Sequence, residues 1–238
     1  MEAPSRRDAI AAGLAAVRQR LALALERAGR PPSAARLVAI SKTHPATDVR
    51  AAFEAGQTEF GENRVQEALE KIGETADIPI RWHLVGHLQS NKAKRAAASF
   101  ACIQSIDSVD LLHRVDAAAA EAGCRPELLV QVDLAGEPTK HGAPVDACLS
   151  IFEAAATCRE ARVGGLMLLP PFMEDPEEAR PYFRRLLVLR DELAGRGVPS
   201  GMLLELSMGM SHDFEVAVEE GSTLIRVGTA IFGERGQG

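Results

Sequence analysis

Lys42 follows a short apolar segment, residues 37–40, and Ser41, at the point where a predicted strand ends. Partly apolar surroundings disfavour the charged ammonium, so they lower the pKa of a lysine and make its amine nucleophilic. Such an amine can form a Schiff base with a carbonyl compound. A solvated lysine at the end of a strand is the alternative interpretation, and this segment alone leaves both open.

Two loops rich in small residues follow the last two predicted strands. They are Ser207–Ser211 and Gly228–Gly233. Small residues leave backbone N–H groups approachable, and a (β/α)8 barrel binds phosphate after its seventh and eighth strands. The loops therefore indicate a phosphate site. A pair of ordinary tight turns is the alternative interpretation of the same residues.

Two other polar residues sit at strand ends. Arg226 lies within the last predicted strand, so an inward-facing guanidinium would need an acceptor, either a ligand atom or a carboxylate such as Glu205. Asn63 follows the second predicted strand, where it either caps the next helix or offers its amide to a ligand.

No metal site is expected. His83 and His87 have a spacing that could suggest one, but the helical HExxH context and a third ligand are missing. The four cysteines are scattered without a C-x-x-C pair, which is typical of reduced thiols in a cytoplasmic protein.

Eight strand-like segments alternate with amphipathic stretches. The predicted strands are Arg36–Lys42, Glu59–Gly61, Trp82–Gly86, Ala101–Ser105, Leu128–Asp133, Val163–Leu169, Met202–Leu206 and Thr223–Val227. Helices are predicted between them, for example over Val49–Ala55, Val65–Ile72, Val109–Ala122 and Pro176–Leu193.

This alternation predicts an α/β fold, a single TIM-type (β/α)8 barrel over residues 1–238. An additional helix within residues 1–30, with a capping box from Ser5 to Asp8, is predicted to pack on the barrel. A doubly wound open sheet is the rival fold, but no G-x-G-x-x-G follows any strand.

Composition narrows the function classes. The net charge of −6 argues against a nucleic-acid partner bound through excess positive charge. No apolar run approaches the ~18 residues of a membrane span, and the N-terminus lacks a signal-peptide core. We therefore expect a cytoplasmic protein without a membrane partner. We also expect a monomer, because the sequence shows no apolar patch or long sheet edge.

The sequence resembles the pyridoxal phosphate homeostasis proteins, whose barrel is similar to the N-terminal domain of alanine racemase. The matching segments span nearly the whole chain in family order. They are residues 38–43, 61–63 with 65–67, 82–83 with 86–92, 105–108, 165–167, 206–211 with 213, and 221–233.

The resemblance implies a pyridoxal 5'-phosphate (PLP) fold type III barrel and a role for each matched residue. Lys42 would form the internal aldimine with the cofactor. Arg226 would face the pyridine nitrogen, and Asn63 would line the pocket. The phosphate would be bound by Ser207, Gly228 and Thr229.

The implied function is storage and delivery of PLP, with apo-enzymes as recipients and effects on amino-acid and keto-acid metabolism. A PLP-dependent amino-acid racemase is the alternative, and an aldolase-type barrel is a second one. A racemase of this type needs a tyrosine from an additional domain as its second base, whereas this chain ends at Gly238 and carries only Tyr182, on a predicted outer helix. We therefore expect no catalytic residue. Lys140 is a hypothetical second, transient PLP site.

Overall fold

Eight parallel strands close into a barrel in the computed structural model, which describes residues 4–136 and 141–233. The sheet runs in the order β4-β3-β2-β1-β9-β8-β7-β5, and pairing of β4 with β5 closes it, while β6 only extends from β5. The predicted (β/α)8 barrel is confirmed. The strands are β1 (Arg36–Ile40), β2 (Glu59–Glu62), β3 (Arg81–Leu84), β4 (Cys102–Ile106), β5 (Glu127–Asp133), β6 (Ala143–Pro144), β7 (Arg162–Leu168), β8 (Glu205–Ser207) and β9 (Leu224–Val227).

Helices surround the barrel and connect its strands. No helix in the described part of the chain is long and apolar enough to cross a bilayer. The helices are α1 (Arg6–Arg27), α2 (Ala46–Glu54), α3 (Val65–Glu74), α4 (Ala93–Ser99), α5 (Val109–Ala122), α6 (Val145–Ala155), α7 (Arg180–Gly195), α8 (Phe214–Glu219) and α9 (Thr229–Phe232), with short 3₁₀ turns at Ser90–Lys92, Pro176–Ala179 and Ser200–Met202.

The N-terminal helix α1 packs on α2, α8 and α9. The side chain of Ser5 accepts a hydrogen bond from the backbone of Asp8, which caps the helix as the sequence predicts. Apolar residues at helical spacing are buried on its inner face, namely Ile10, Leu14, Val17, Leu21 and Leu25. Burial of these residues fixes α1 beside α8 and α9, the helices that precede and follow the last strand, β9.

Alternation along each strand divides the core into two layers. In β1, Val38 and Ile40 face the barrel interior, while Leu37 and Ala39 face the surrounding helices. The same period of two directs residue 42 inward, just beyond the last paired residue of the strand. Lys42 therefore lies in the loop at the mouth of the barrel, two residues after β1 ends at Ile40.

Ion pairs occupy the opposite, amino-terminal end of the barrel. Arg36 bridges Glu205 at 2.8 Å and Glu59 at 3.3 Å, and Arg81 pairs with Glu127 at 2.6 Å. Glu205 therefore pairs with Arg36, and it is not the acceptor for Arg226 that the sequence suggested.

The seventh barrel strand lies later than predicted. Residues 200–202 form a 3₁₀ turn after Pro199, and Leu204 is 65% exposed, so the start of the predicted Met202–Leu206 segment is not strand. Pairing with β7 covers Glu205–Ser207 instead. An apolar run alone does not show which of its residues find a neighbouring strand.

Candidate functional site

A cavity of about 580 Å³ opens at the carboxyl ends of the strands, where barrels of this type carry their functional groups. Five of the six predicted binding residues line it, namely Lys42, Asn63, Arg226, Gly228 and Thr229. The remainder of the wall includes the apolar residues Ile40, Val85, Leu169, Phe172 and Met173. A pocket with apolar walls and a few convergent polar groups is typical of a small-molecule site.

Two hydrogen bonds with side chains of α3 fix the turn that carries Lys42. The ammonium of Lys71, on α3, donates to the backbone carbonyl of Ser41 at 2.7 Å. Thr43 adopts a left-handed φ of 67°, which is costly for a β-branched residue, and its backbone N–H donates to Glu67 at 2.5 Å. Both neighbours of Lys42 are thus fixed by bonds from α3.

A buried ion pair completes this support. Lys71 Nζ lies 2.7 Å from Glu62 Oε1 and 3.1 Å from Glu67 Oε1, and the hydroxyl of Ser41 donates to Glu62 at 2.7 Å. Burial raises the pKa of Glu62, while the bonds from Lys71 and Ser41 oppose that rise. The other carboxylate oxygen of Glu62 has no hydrogen-bond partner among the described atoms, so Lys71 provides most of its compensation.

Arg226 forms the inner wall of the cavity. It is 3% exposed, and its guanidinium donates to the hydroxyl of Ser207 at 2.6 Å and to the carbonyl of Leu168 at 2.7 Å. Burial lowers the pKa of Arg226 to about 10, with the charge of Asp213 acting in the other direction. The group is therefore still a cation and a donor at neutral pH.

A chain of polar side chains crosses the barrel interior behind Arg226. Ser207 donates to Gln104 at 2.6 Å, Gln104 contacts His83 Nδ1 at 3.0 Å, and His83 Nε2 lies 3.1 Å from Glu59. Burial raises the pKa of Glu59, but the neighbouring His83 outweighs this effect, and the pKa is lowered overall. The chain connects Arg226 to the charged end of the barrel.

Ser207 does not line the cavity, although the family resemblance gave it a phosphate role. Its side chain is fully buried and engaged by Arg226 and Gln104. Ser211 lies beside the other two predicted phosphate residues, because its hydroxyl accepts from the backbone N–H of Gly228 at 3.2 Å and lies 3.4 Å from the hydroxyl of Thr229. Both serines belong to the same short motif, so the sequence does not distinguish them.

Asn63 is placed by a close backbone contact. A Cβ on Gly86 would lie 2.1 Å from the Asn63 carbonyl oxygen, so only glycine permits this approach. Asn63 precedes α3 but does not cap it, since the N-cap position belongs to Arg64 and has no side-chain bond. Of the two interpretations left open by the sequence, the structure therefore favours a residue of the cavity wall.

The remaining candidates are distributed over several parts of the structure. His83 points into the barrel interior, whereas His87 lines the cavity. Tyr182 is on α7, packed against the outer core. Lys140 lies outside the described residues. The supporting pair Glu62 and Lys71 was not foreseen, because a glutamate and a lysine nine positions apart carry no local signal.

Comparison with known proteins places this barrel in the alanine racemase N-terminal domain class, whose family model matches residues 13–236. A pyridoxal phosphate homeostasis protein of Aquifex aeolicus is 42% identical over 222 residues, covering 93% of this chain and 96% of that protein. This chain belongs to the pyridoxal phosphate homeostasis protein family.

Solved structures agree with that assignment. PipY of Synechococcus elongatus PCC7942 superposes with a TM-score of 0.84 and 39% identity in its form with PLP bound, and with 0.86 and 41% in its form without PLP. Each comparison covers 94% of this chain and all of PipY. An alanine racemase of Clostridium difficile has a TM-score of 0.71 at 13% identity, covering 57% of that enzyme, and this likeness shows the fold alone.

Removal of the buried lysine tests the support beneath Lys42. We expect Lys71→Met to lower the free energy of unfolding by about 3 kcal/mol, because it leaves the Glu62 carboxylate buried without its cation. Denaturant unfolding of the purified variant measures this loss. Lys94→Met is the matched control, since Lys94 pairs with Glu121 in full solvent contact and its removal should leave stability near that of the parent. Equal stability of the two variants would show that the buried pair is not important for the fold.

Proposed function

We propose that this protein binds PLP in the barrel cavity, linked covalently through Lys42, and serves to store and deliver the cofactor. One observation carries the proposal: an amine, a buried cation and a set of hydroxyl and backbone N–H donors line the same cavity. The PLP-bound structure of PipY, at 39% identity over nearly the whole chain, supports it.

The residues present fit the chemical groups of PLP. Ser211 and Thr229 offer two hydroxyls for the phosphate, and the backbone N–H of Gly228, which here donates to Ser211, would turn to the phosphate when PLP binds. We assign Ser211 this role in place of Ser207. A Cβ on Gly228 would lie 3.0 Å from the carbonyl oxygen of Ile40, so glycine lets this loop approach the end of β1 closely. Ile40, Val85 and Leu169 provide apolar surface for an aromatic ring.

Arg226 has the role of donor to the pyridine nitrogen in this proposal. When bound, PLP supplies an aldehyde and a ring that accepts electrons most strongly with its nitrogen protonated. Arg226 retains its own proton near neutral pH, so it donates a hydrogen bond without protonating the ring. Its bonds to Ser207 and the Leu168 carbonyl keep the guanidinium in one orientation. This arrangement disfavours reactions that need a strong electron sink.

We propose further that the protein does not turn over amino acids. Racemisation requires a second acid–base group on the face of the substrate opposite the lysine. The sequence contains one tyrosine, Tyr182, and α7 holds it against the outer core and away from the residues that line the cavity. The names of similar relatives, pyridoxal phosphate homeostasis proteins, support the same conclusion.

Borohydride reduction of PLP-loaded protein tests the covalent linkage. We expect the reduced adduct to map to Lys42 by peptide mass analysis, and Lys42→Ala to lose both the adduct and the visible absorption band of the loaded protein. Lys94→Ala, which changes an exposed lysine outside the cavity, should keep both. An undiminished band in Lys42→Ala, or an adduct that maps mainly to another lysine, would refute the assignment.

Comparison of PLP with pyridoxal, which lacks the phosphate, tests the role of Ser211. A hydrogen bond to a charged group contributes about 1.5 kcal/mol or more, so Ser211→Ala should weaken PLP binding about tenfold and leave pyridoxal binding nearly unchanged. Ser207→Ala should show no such phosphate-specific loss, because Ser207 contacts Arg226 and Gln104. Titration of each variant with both ligands measures the difference. A phosphate-specific loss in Ser207→Ala alone would restore the original assignment.

A paired assay distinguishes a carrier from an enzyme. Loaded protein is incubated with L-alanine in one sample and with a PLP-dependent apo-enzyme in another. We expect racemisation no faster than that given by free PLP, because no tyrosine is among the described residues that line the cavity, together with reactivation of the apo-enzyme. Racemisation well above the free-cofactor rate would contradict the non-catalytic role, and reactivation no different from a buffer control would contradict delivery.

A further inference from the structure

Three metal-binding side chains converge at one side of the cavity mouth. His87, Asp107 and His141 each offer one ligand atom, and these atoms all lie within 4.8 Å of one another. Within the group, His87 Nδ1 lies 3.6 Å from Asp107 Oδ2. The two imidazole rings are stacked, with centroids 3.6 Å apart and planes inclined by 10°.

The barrel itself produces this convergence. His87 lies shortly after β3, Asp107 directly follows β4, and His141 follows β5, and these three strands are neighbours. Their carboxyl ends therefore present the three side chains on one arc of the rim. His141 is tied to the interior by its backbone carbonyl, which accepts from the buried amide of Gln131 at 2.5 Å.

The donor set selects the type of ion. Two imidazoles and one carboxylate are typical of zinc and of other divalent first-row transition metals, whereas calcium and magnesium prefer oxygen ligands alone. Three protein ligands leave further coordination positions open. Since His87 and His141 line the cavity, those open positions would face its contents.

We propose that His87, Asp107 and His141 bind a divalent transition-metal ion at the rim of the cavity. Ligand atoms around a tetrahedral ion with bonds of about 2.1 Å lie about 3.4 Å apart. The contact between His87 and Asp107 is already close to that value, and the remaining separations are closed by side-chain rotation. Both histidines lie at the exposed rim of the barrel and outside the apolar core, so their rings can rotate without disturbing that core.

Titration with Co²⁺ and Zn²⁺ tests this site on untagged, full-length, metal-free protein. We expect one equivalent of Co²⁺ to bind with visible d–d absorption bands, and Zn²⁺ to displace it. Because loss of even an outer partner of a metal ligand typically costs 10–100-fold in affinity, Asp107→Asn and His141→Gln should each weaken binding by at least about tenfold.

His113→Gln is the matched control, since His113 is an exposed histidine on α5. It should bind Co²⁺ like the parent, and the circular dichroism spectra of all variants should match the parent spectrum. Failure of the parent to bind Co²⁺ stoichiometrically would overturn the proposal. Equal affinity in the parent, Asp107→Asn and His141→Gln would also overturn it, because the metal would then be bound elsewhere.

Discussion

Closure of the parallel barrel is the constraint from which the site follows. Once β4 pairs with β5, every second residue of each strand must face the interior, and every strand must end at the same rim. Lys42 and Arg226 reach one cavity because both follow that inward period on adjacent strands, β1 and β9. Residues far apart in sequence therefore meet without any local motif that joins them.

Nearby buried partners offset the electrostatic cost of placing charged groups in the barrel interior. A guanidinium that is 3% exposed would be unfavourable alone, but Ser207 and the Leu168 carbonyl accept its hydrogen bonds. Under the turn of Lys42, the carboxylate of Glu62 is compensated by Lys71 in the same way. Arg226 and the turn of Lys42 thus each contact buried polar partners, and those partners fix their direction.

Much of the fold could be predicted from sequence, because alternation of short apolar segments with amphipathic ones is a local pattern. The helix Val109–Ala122 was predicted to the residue, since Ser108 caps it and Gly123 ends it in a left-handed conformation. The strand around Leu206 was placed too early, because pairing with β7 and not hydrophobicity decides where it starts. Strand ends are set by neighbours that lie elsewhere in the chain.

The sequence predicted the site residues that belong to a family motif and did not predict the others. Five of six binding candidates line the cavity, but Ser207 and Ser211 share one motif, and only the backbone path of that loop separates an interior hydroxyl from one at the rim. The histidines show the same limit. The spacing of His83 and His87 was not taken as a metal site, and strand alternation directs His83 inward. His87 instead stacks on His141, which no sequence spacing indicates.

The filled interior of the barrel also determines how a small molecule can travel. Arg36, Arg81 and their glutamate partners close the amino-terminal end, and the polar chain from Glu59 to Arg226 occupies the axis above them. Since these described side chains fill the axis, a compound bound near Lys42 would enter and leave at the carboxyl-terminal rim of the barrel. Its residence time would then depend on the loops at that rim and not on the strands behind it.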